Sequence, residues 1–215
     1  SLDQFKNDQR FQVLVGASRA KTILAMNNGR KPLDDVRVRR AIAMAIDRKQ
    51  VIDGVANGFG APIGSFYVPG APGYVDLTSV NAYNPERAKA LLKEAGVTGP
   101  LELSLKLPPA PYARQGGEVI AAMLAKVGIV AKQENVEWAQ WLSGTYGQKS
   151  YDLTIISHVE PLDFGNFARP GYYWNYESTK FNALYDKYKQ TANAAERNKL
   201  LADIQRLVEK IQSFF

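Results

Sequence analysis

The sequence predicts an α/β layered domain, with a mixed, mostly parallel sheet flanked by helices. Three observations carry this expectation. LELSLKL (101–107), IVAKQENV (129–136) and YDLTIISHV (151–159) have the lengths and apolar patterns of strands. The segments between and around them carry apolar residues at three- and four-residue spacing, the period of a helix with one buried face. Apolar residues make up 46% of the 215, enough to fill a core without outside help.

In chain order, residues 11–15 (FQVLV) and 22–26 (TILAM) read as short extended segments, and NNGRKP as a turn. Asp34 or Asp35 then caps a helix, because a carboxylate accepts the free amide hydrogens of a first turn. Val38, Ile42, Ala45, Ile46 and Ile52 form an apolar stripe that predicts one helix reaching about Asn57. The glycine- and proline-rich stretch 58–74 can be neither a long helix nor a central strand. Its Phe66, Tyr67, Val68 and Tyr74 predict an ordered loop. In YNPERAKALLKEAG (83–96), Asn84 caps, Pro85 takes the first helical position and Gly96 ends the helix. There follow a strand at 101–107, a helix at 112–127 closed by Gly128, a strand at 129–136 and a short helix around 138–148. The strand at 151–159 is apolar nearly throughout, which places it at the centre of the sheet. Two helices, near 178–192 and 194–212, close the chain.

Cysteine is absent, which excludes a disulfide scaffold, a zinc–thiolate site and a cysteine nucleophile, and fits an oxidising compartment. No apolar run approaches the roughly 20 residues that span a bilayer. The opening SLDQFKNDQRF is too polar for a secretory leader. A formal charge of +6 raises nucleic acid as a partner. The distribution argues against it. RVRR (37–40) lies in a helix beside Asp34, Asp35 and Asp47, and elsewhere basic and acidic residues alternate, so no nucleic-acid partner is expected.

The chemistry concentrates in SHVEPLDFGNFARPGYYWNY (157–176). This stretch begins where the third strand ends, and ligands of open α/β sheets sit at the carboxyl ends of strands. Ser157 and His158 are strand neighbours and point to opposite faces, and no G-x-S-x-G sequence is present, so a Ser-His-Asp triad is not supported. His158 and Glu160 share a face at alternate positions, but two ligands do not make a metal site, and no cofactor is implied. Glu160 and Asp163 could serve as acid and base of a glycoside hydrolase, although such pairs commonly stand on separate elements. A binding pocket needs fewer coincidences. Phe164, Phe167, Tyr172, Tyr173, Trp174 and Tyr176 supply apolar wall, with roughly half of them expected in the core. Glu160, Asp163 and Arg169 could anchor charged ends of a ligand.

Four segments together resemble one family, the extracytoplasmic solute-binding proteins of peptide and nickel ABC importers. KPLDDVRVRRAIAMAIDRKQVIDGVANGFGAP (31–62) is similar to the family's N-P-F-x-D-x-R-V-R-x-A-I-x-x-A-I-D-R run and its following G-x-A-x-P loop. YNPERAKALLKEAG resembles its Y-N-P-E-K-A-K-x-L-L-x-E-A-G. EVIAAMLAKVGIVAKQENVEWAQW (118–141) resembles its helix, G-I-x-V strand and Trp, and YDLTIISHVEPLD lies where the family has Y-D-l-x-x-x-g-W-x-x-D-y-x-D-P. The matches keep their order over about residues 20–212.

The resemblance implies a lobe of the type II periplasmic-binding-protein kind. Residues 27–215 would be the second, C-terminal lobe, stopping before the family's return strand, and 1–26 the stub of a hinge strand from a first lobe. It implies a periplasmic, non-enzymatic protein. Its partners would be a peptide or other small-molecule ligand, ABC permease subunits in the membrane, and the N-terminal lobe of the same protein. In the family's peptide binders an aspartate after the g-W pair holds the ligand's amino terminus. Aligned without gaps, that tryptophan falls on His158 and the aspartate on Pro161, with Glu160 one position early. Ser157, His158, Glu160 and Asp163 are therefore candidates by position, joined by Phe164 and Arg169 of the same stretch. Gly64, Ser65 and Tyr67 are candidates for the cleft edge.

Overall fold

The apolar runs assemble into one five-stranded sheet in a computed structural model, which describes residues 2–211 and the backbone of 213–214. A single helical turn α1 (Asp3–Lys6) precedes β1 (Lys21–Met26). There follow α2 (Val36–Ala45), α3 (Arg48–Ala56), α4 (Pro85–Glu94), β2 (Leu101–Leu107), α5 (Pro111–Ala125) and β3 (Ile129–Asn135). The rest is α6 (Trp138–Gln140), a π-helical turn Trp141–Gly147, β4 (Leu153–His158), a 3-10 helix Asp163–Ala168, α7 (Thr179–Gln190), α8 (Ala194–Val208) and β5 (Ser213–Phe214).

The strand order is β3-β2-β4-β1-β5. β2 is parallel to both β3 and β4, whereas β1 is antiparallel to both β4 and β5. The sheet is thus mixed, with β4 at its centre, as its apolar sequence requires. β1, which falls inside the expected stub 1–26, is itself paired on both edges.

Side chains alternate across a strand, so this sheet divides two cores. Leu24 and Met26 of β1 and Leu153 and Ile155 of β4 face α2, α4 and α5, meeting Val38, Ile42, Leu91 and Ile120. Ile23, Ala25 and Ile156 face the other way, into an aromatic core that includes Phe66, Trp141, Phe167, Trp174 and Phe181.

The helix signals hold where a side chain can reach an amide. Asp35 Oδ1 accepts from Arg37 N at 2.8 Å, and Asn84 Oδ1 from Arg87 N at 2.9 Å with Pro85 behind it. Gly96 follows α4 at φ +82°, a conformation open to glycine.

Four expectations are corrected. The single helix 34–57 is two helices, because Asp47 adopts extended backbone and its carboxylate accepts from Gln50 N at 3.1 Å, starting α3 afresh. Ile46 is fully buried at the break, which is why the apolar stripe runs through it. Residues 11–15 form no strand, and Leu14 is 81% exposed there, with no partner strand among the described residues. The short helix at 138–148 is mostly a π-helical turn. The closing helix stops at Val208, and Ser213 and Phe214 pair with Leu24 and Ile23 of β1; residue 212 lies outside the described residues.

Candidate functional site

The antiparallel register of β1 and β4 builds the site. Lys21 lies opposite His158, and Thr22 opposite Ser157, so the two pairs leave on opposite faces. On the helix-packed face, the Thr22 and Ser157 hydroxyls share a 2.7 Å hydrogen bond, and Ser157 N–H donates to the Tyr112 hydroxyl at 3.2 Å. On the aromatic face, His158 Nε2 is 2.9 Å from the Tyr173 hydroxyl, and the two rings are 13° from parallel. Burial holds the His158 pKa down at about 4; Glu160 pulls it up and Lys21 presses it further down. The ring is therefore neutral at neutral pH.

Past the end of β4 the chain turns sharply at Leu162, in left-handed backbone at φ 57°. That turn carries Asp163 back against the end of β1 while Glu160 stays exposed. Lys21 meets them there. It is 3% exposed, and its Nζ donates to Arg19 O and Glu160 O, each at 3.1 Å. It lies 3.2 Å from Asp163 Oδ1 and 5.3 Å from the Phe66 ring centroid. Neither Asp163 oxygen makes a well-directed hydrogen bond, so the contact with Lys21 is charge on charge. Burial pushes the Asp163 carboxyl up to about 6, with Lys21 opposing it.

Ligand atoms of His158, Glu160 and Asp163 all lie within 4.8 Å of one another. The sequence suggests His158 with Glu160, and Glu160 with Asp163, as pairs, but does not bring the three together. The donor set is that of a metal site, yet the Lys21 ammonium already pairs with its Asp163 oxygen and the Tyr173 hydroxyl engages His158 Nε2. A divalent ion there would face that ammonium in a low-dielectric setting, so the cluster holds a cation of the chain's own making. The same pairing corrects the hydrolase alternative: Asp163 is buried and ion-paired rather than opposed to Glu160 across an open cleft.

The other candidates scatter. Ser65 is fully buried and its hydroxyl donates to Gln205 Oε1 at 3.4 Å, which places it in the core rather than at an edge. A Cβ on Gly64 would fall 2.2 Å from the Leu77 carbonyl carbon, so this glycine lets two backbones touch. Phe164 is 2% exposed and packs edge-on against Tyr67, Tyr185 and Tyr188. Tyr67 donates its hydroxyl to Pro72 O at 3.0 Å and, with Arg19, Lys21, Pro161, Leu162 and Arg197, lines an open cavity of about 620 Å³. Arg169 is exposed and lies over the Tyr172 ring at 5.4 Å. Of the six aromatics, Phe164, Phe167, Tyr172, Tyr173 and Trp174 are buried and Tyr176 is half-buried, more than the half expected. The rings fill the layer between sheet, α7 and α8, as the 4.4 Å stack of Phe167 on Trp174 illustrates.

Lys21 is the member of this site that does not stand out in the sequence. Its signal was the alternation Lys21, Ile23, Ala25, which puts a cation on the inward face of a strand opposite a histidine.

The chain is similar to known proteins over most of its length. The profile described as bacterial extracellular solute-binding proteins, family 5 Middle, matches residues 1–183. The dipeptide-binding protein of Escherichia coli (strain K12) is 40% identical over 124 residues, covering 55% of this chain and 23% of that protein. Heme-binding protein A of Haemophilus influenzae is 27% identical over 227 aligned residues, 96% of this chain and 40% of that protein. A solved structure of the periplasmic binding protein DppA from Helicobacter pylori, in complex with the peptide STSA, superimposes with a TM-score of 0.88. It shares 23% identity, and the match covers 99% of this chain and 44% of that one, a likeness of fold. The chain thus spans less than half the length of each of these proteins.

Proposed function

The chain belongs to the bacterial extracellular solute-binding proteins of family 5, and on that premise we propose that it is one lobe of the solute receptor of an ABC importer. In this reading a peptide or similar small solute is held outside the cytoplasmic membrane between this lobe and a second one and passed to the permease, chemically unchanged. Residues up to Met26 would carry the chain in from the other lobe. The observation that carries the reading is Glu160: an exposed carboxylate at the carboxyl end of the central strand, above a floor of buried rings. Glu160 holds a cationic group of the solute. His158 makes the ledge beneath it, Ser157 braces the strand from the opposite face, and Tyr67 lines the adjoining cavity, with Arg169 farther along the same stretch over the Tyr172 ring. Asp163, Phe164 and Ser65 shape that ledge from within.

The test is calorimetry on the full-length protein with trialanine and N-acetyltrialanine, which differ by one charge. The free amine should bind more tightly, Glu160→Gln should remove that preference, and mass spectrometry should recover the peptide intact. Cleavage of the peptide, binding of neither probe, or a preference indifferent to Glu160→Gln would overturn the proposal.

A further inference from the structure

A lysine buried to 3% exposure loses its hydration and its rotamer freedom, so its surroundings must offset both. Lys21 achieves this by joining three segments. Arg19 O belongs to the strand's approach, Glu160 O to the residue pair beyond β4, and Asp163 to the start of the 3-10 helix. These bonds span the Pro161–Leu162 turn, whose left-handed Leu162 is backbone that a leucine rarely adopts without support.

We infer that Lys21 is the positioning residue of the solute site. Its ammonium fixes the Glu160 backbone and neutralises Asp163, so that the site presents one outward negative charge. This rests on the proposed role of Glu160. It narrows the ligand to one bearing a single cationic group at this end, such as a protonated amine. Two free carboxylates beside a neutral imidazole would instead suit a divalent metal. Lys21 never touches the solute; it acts through Glu160.

The experiment measures the ratio of affinities for trialanine and N-acetyltrialanine in full-length protein carrying Lys21→Met, with Glu160→Gln alongside. With the ammonium gone the buried Asp163 favours its protonated form, so the ratio in Lys21→Met reads the loosened Glu160 alone and should fall about tenfold. A merely structural loss would weaken both peptides equally and leave the ratio unchanged. A ratio kept in Lys21→Met but lost in Glu160→Gln overturns the role of Lys21 and leaves the binding proposal standing. A ratio kept in Glu160→Gln overturns both. Should Lys21→Met not fold, Asp163→Asn decides. It keeps both carbonyl bonds but leaves the ammonium unneutralised to repel the amine, so the ratio should again fall, and an unchanged ratio sinks the inference.

Discussion

His158 and Asp163 are neighbours displaced in opposite directions by the same cause, burial, and the pair makes a prediction about acid stability. His158 titrates at about 4 when folded, below its unfolded value, so its contribution is present above the unfolded pKa of 6.5 and is lost as pH falls through about 4. Asp163 titrates at about 6 when folded, above its unfolded value. Its contribution is complete below the unfolded pKa of 3.8 and is lost as pH rises through about 6. Each displacement is worth about 3 kcal/mol. Between pH 6 and pH 4 the two nearly cancel. His158→Gln should therefore gain stability relative to wild type as pH falls across this window, by about 2 kcal/mol, read from urea midpoints at the two pH values. A variant whose midpoint tracks wild type across the window would mean that the imidazole titrates near its ordinary value. None of this was legible in the residues alone. That Glu160 stands out and Asp163 turns in depends on the left-handed Leu162, which no residue type in EPLDF announces. The separation of Ser157 from His158 was legible, because strand alternation alone dictates it.

Helix ends were readable wherever a short polar side chain stood before a periodic apolar run. Asn84 is the clearest, and Asn84→Ala should lower stability by about 1 kcal/mol without moving ligand affinity. A melting curve unchanged by that substitution would place the start of α4 elsewhere. Asp47 carries the same signal, with Gln50 three residues on, but the apolar stripe through Ile46 masked it. In the loop 58–74 the sequence shows order but not its cause. Gly64 supplies part of it, since a methyl group there would press on the Leu77 carbonyl carbon and oxygen at 2.2 and 2.4 Å and on Thr78 N at 2.5 Å. Backbone cannot yield as a side chain can, so Gly64→Ala should cost about 3 kcal/mol, in contrast to a near-neutral change at the unobstructed Gly144. Equal urea midpoints for the two variants would show that the loop does not press on residues 77–78 as described.

Four of the five strands were legible in the sequence, but FQVLV (11–15) mimics a strand without being one, β5 is too short to announce itself, and strand direction was not legible at all. The pattern LELSLKL is the same whether its neighbour runs parallel or antiparallel, and β1 entering antiparallel beside β4 is what brings Lys21 to His158. That arrangement leaves the site open on one side, with Glu160 exposed and the cavity lined by Tyr67 and Arg19 facing solvent. A small-molecule site ordinarily buries most of its ligand, and half a wall cannot. Immobilising the ligand costs the same whether one wall or two receive it, so removing half the contacts removes most of the net affinity. If the proposed second lobe completes the site, the 215-residue chain alone should bind trialanine at least about 100-fold more weakly than the two-lobed protein, a difference near 2.7 kcal/mol. Calorimetry on the two proteins at matched pH and salt measures it directly. Equal affinities would mean that this lobe holds the whole site, and that Glu160 works without a facing wall.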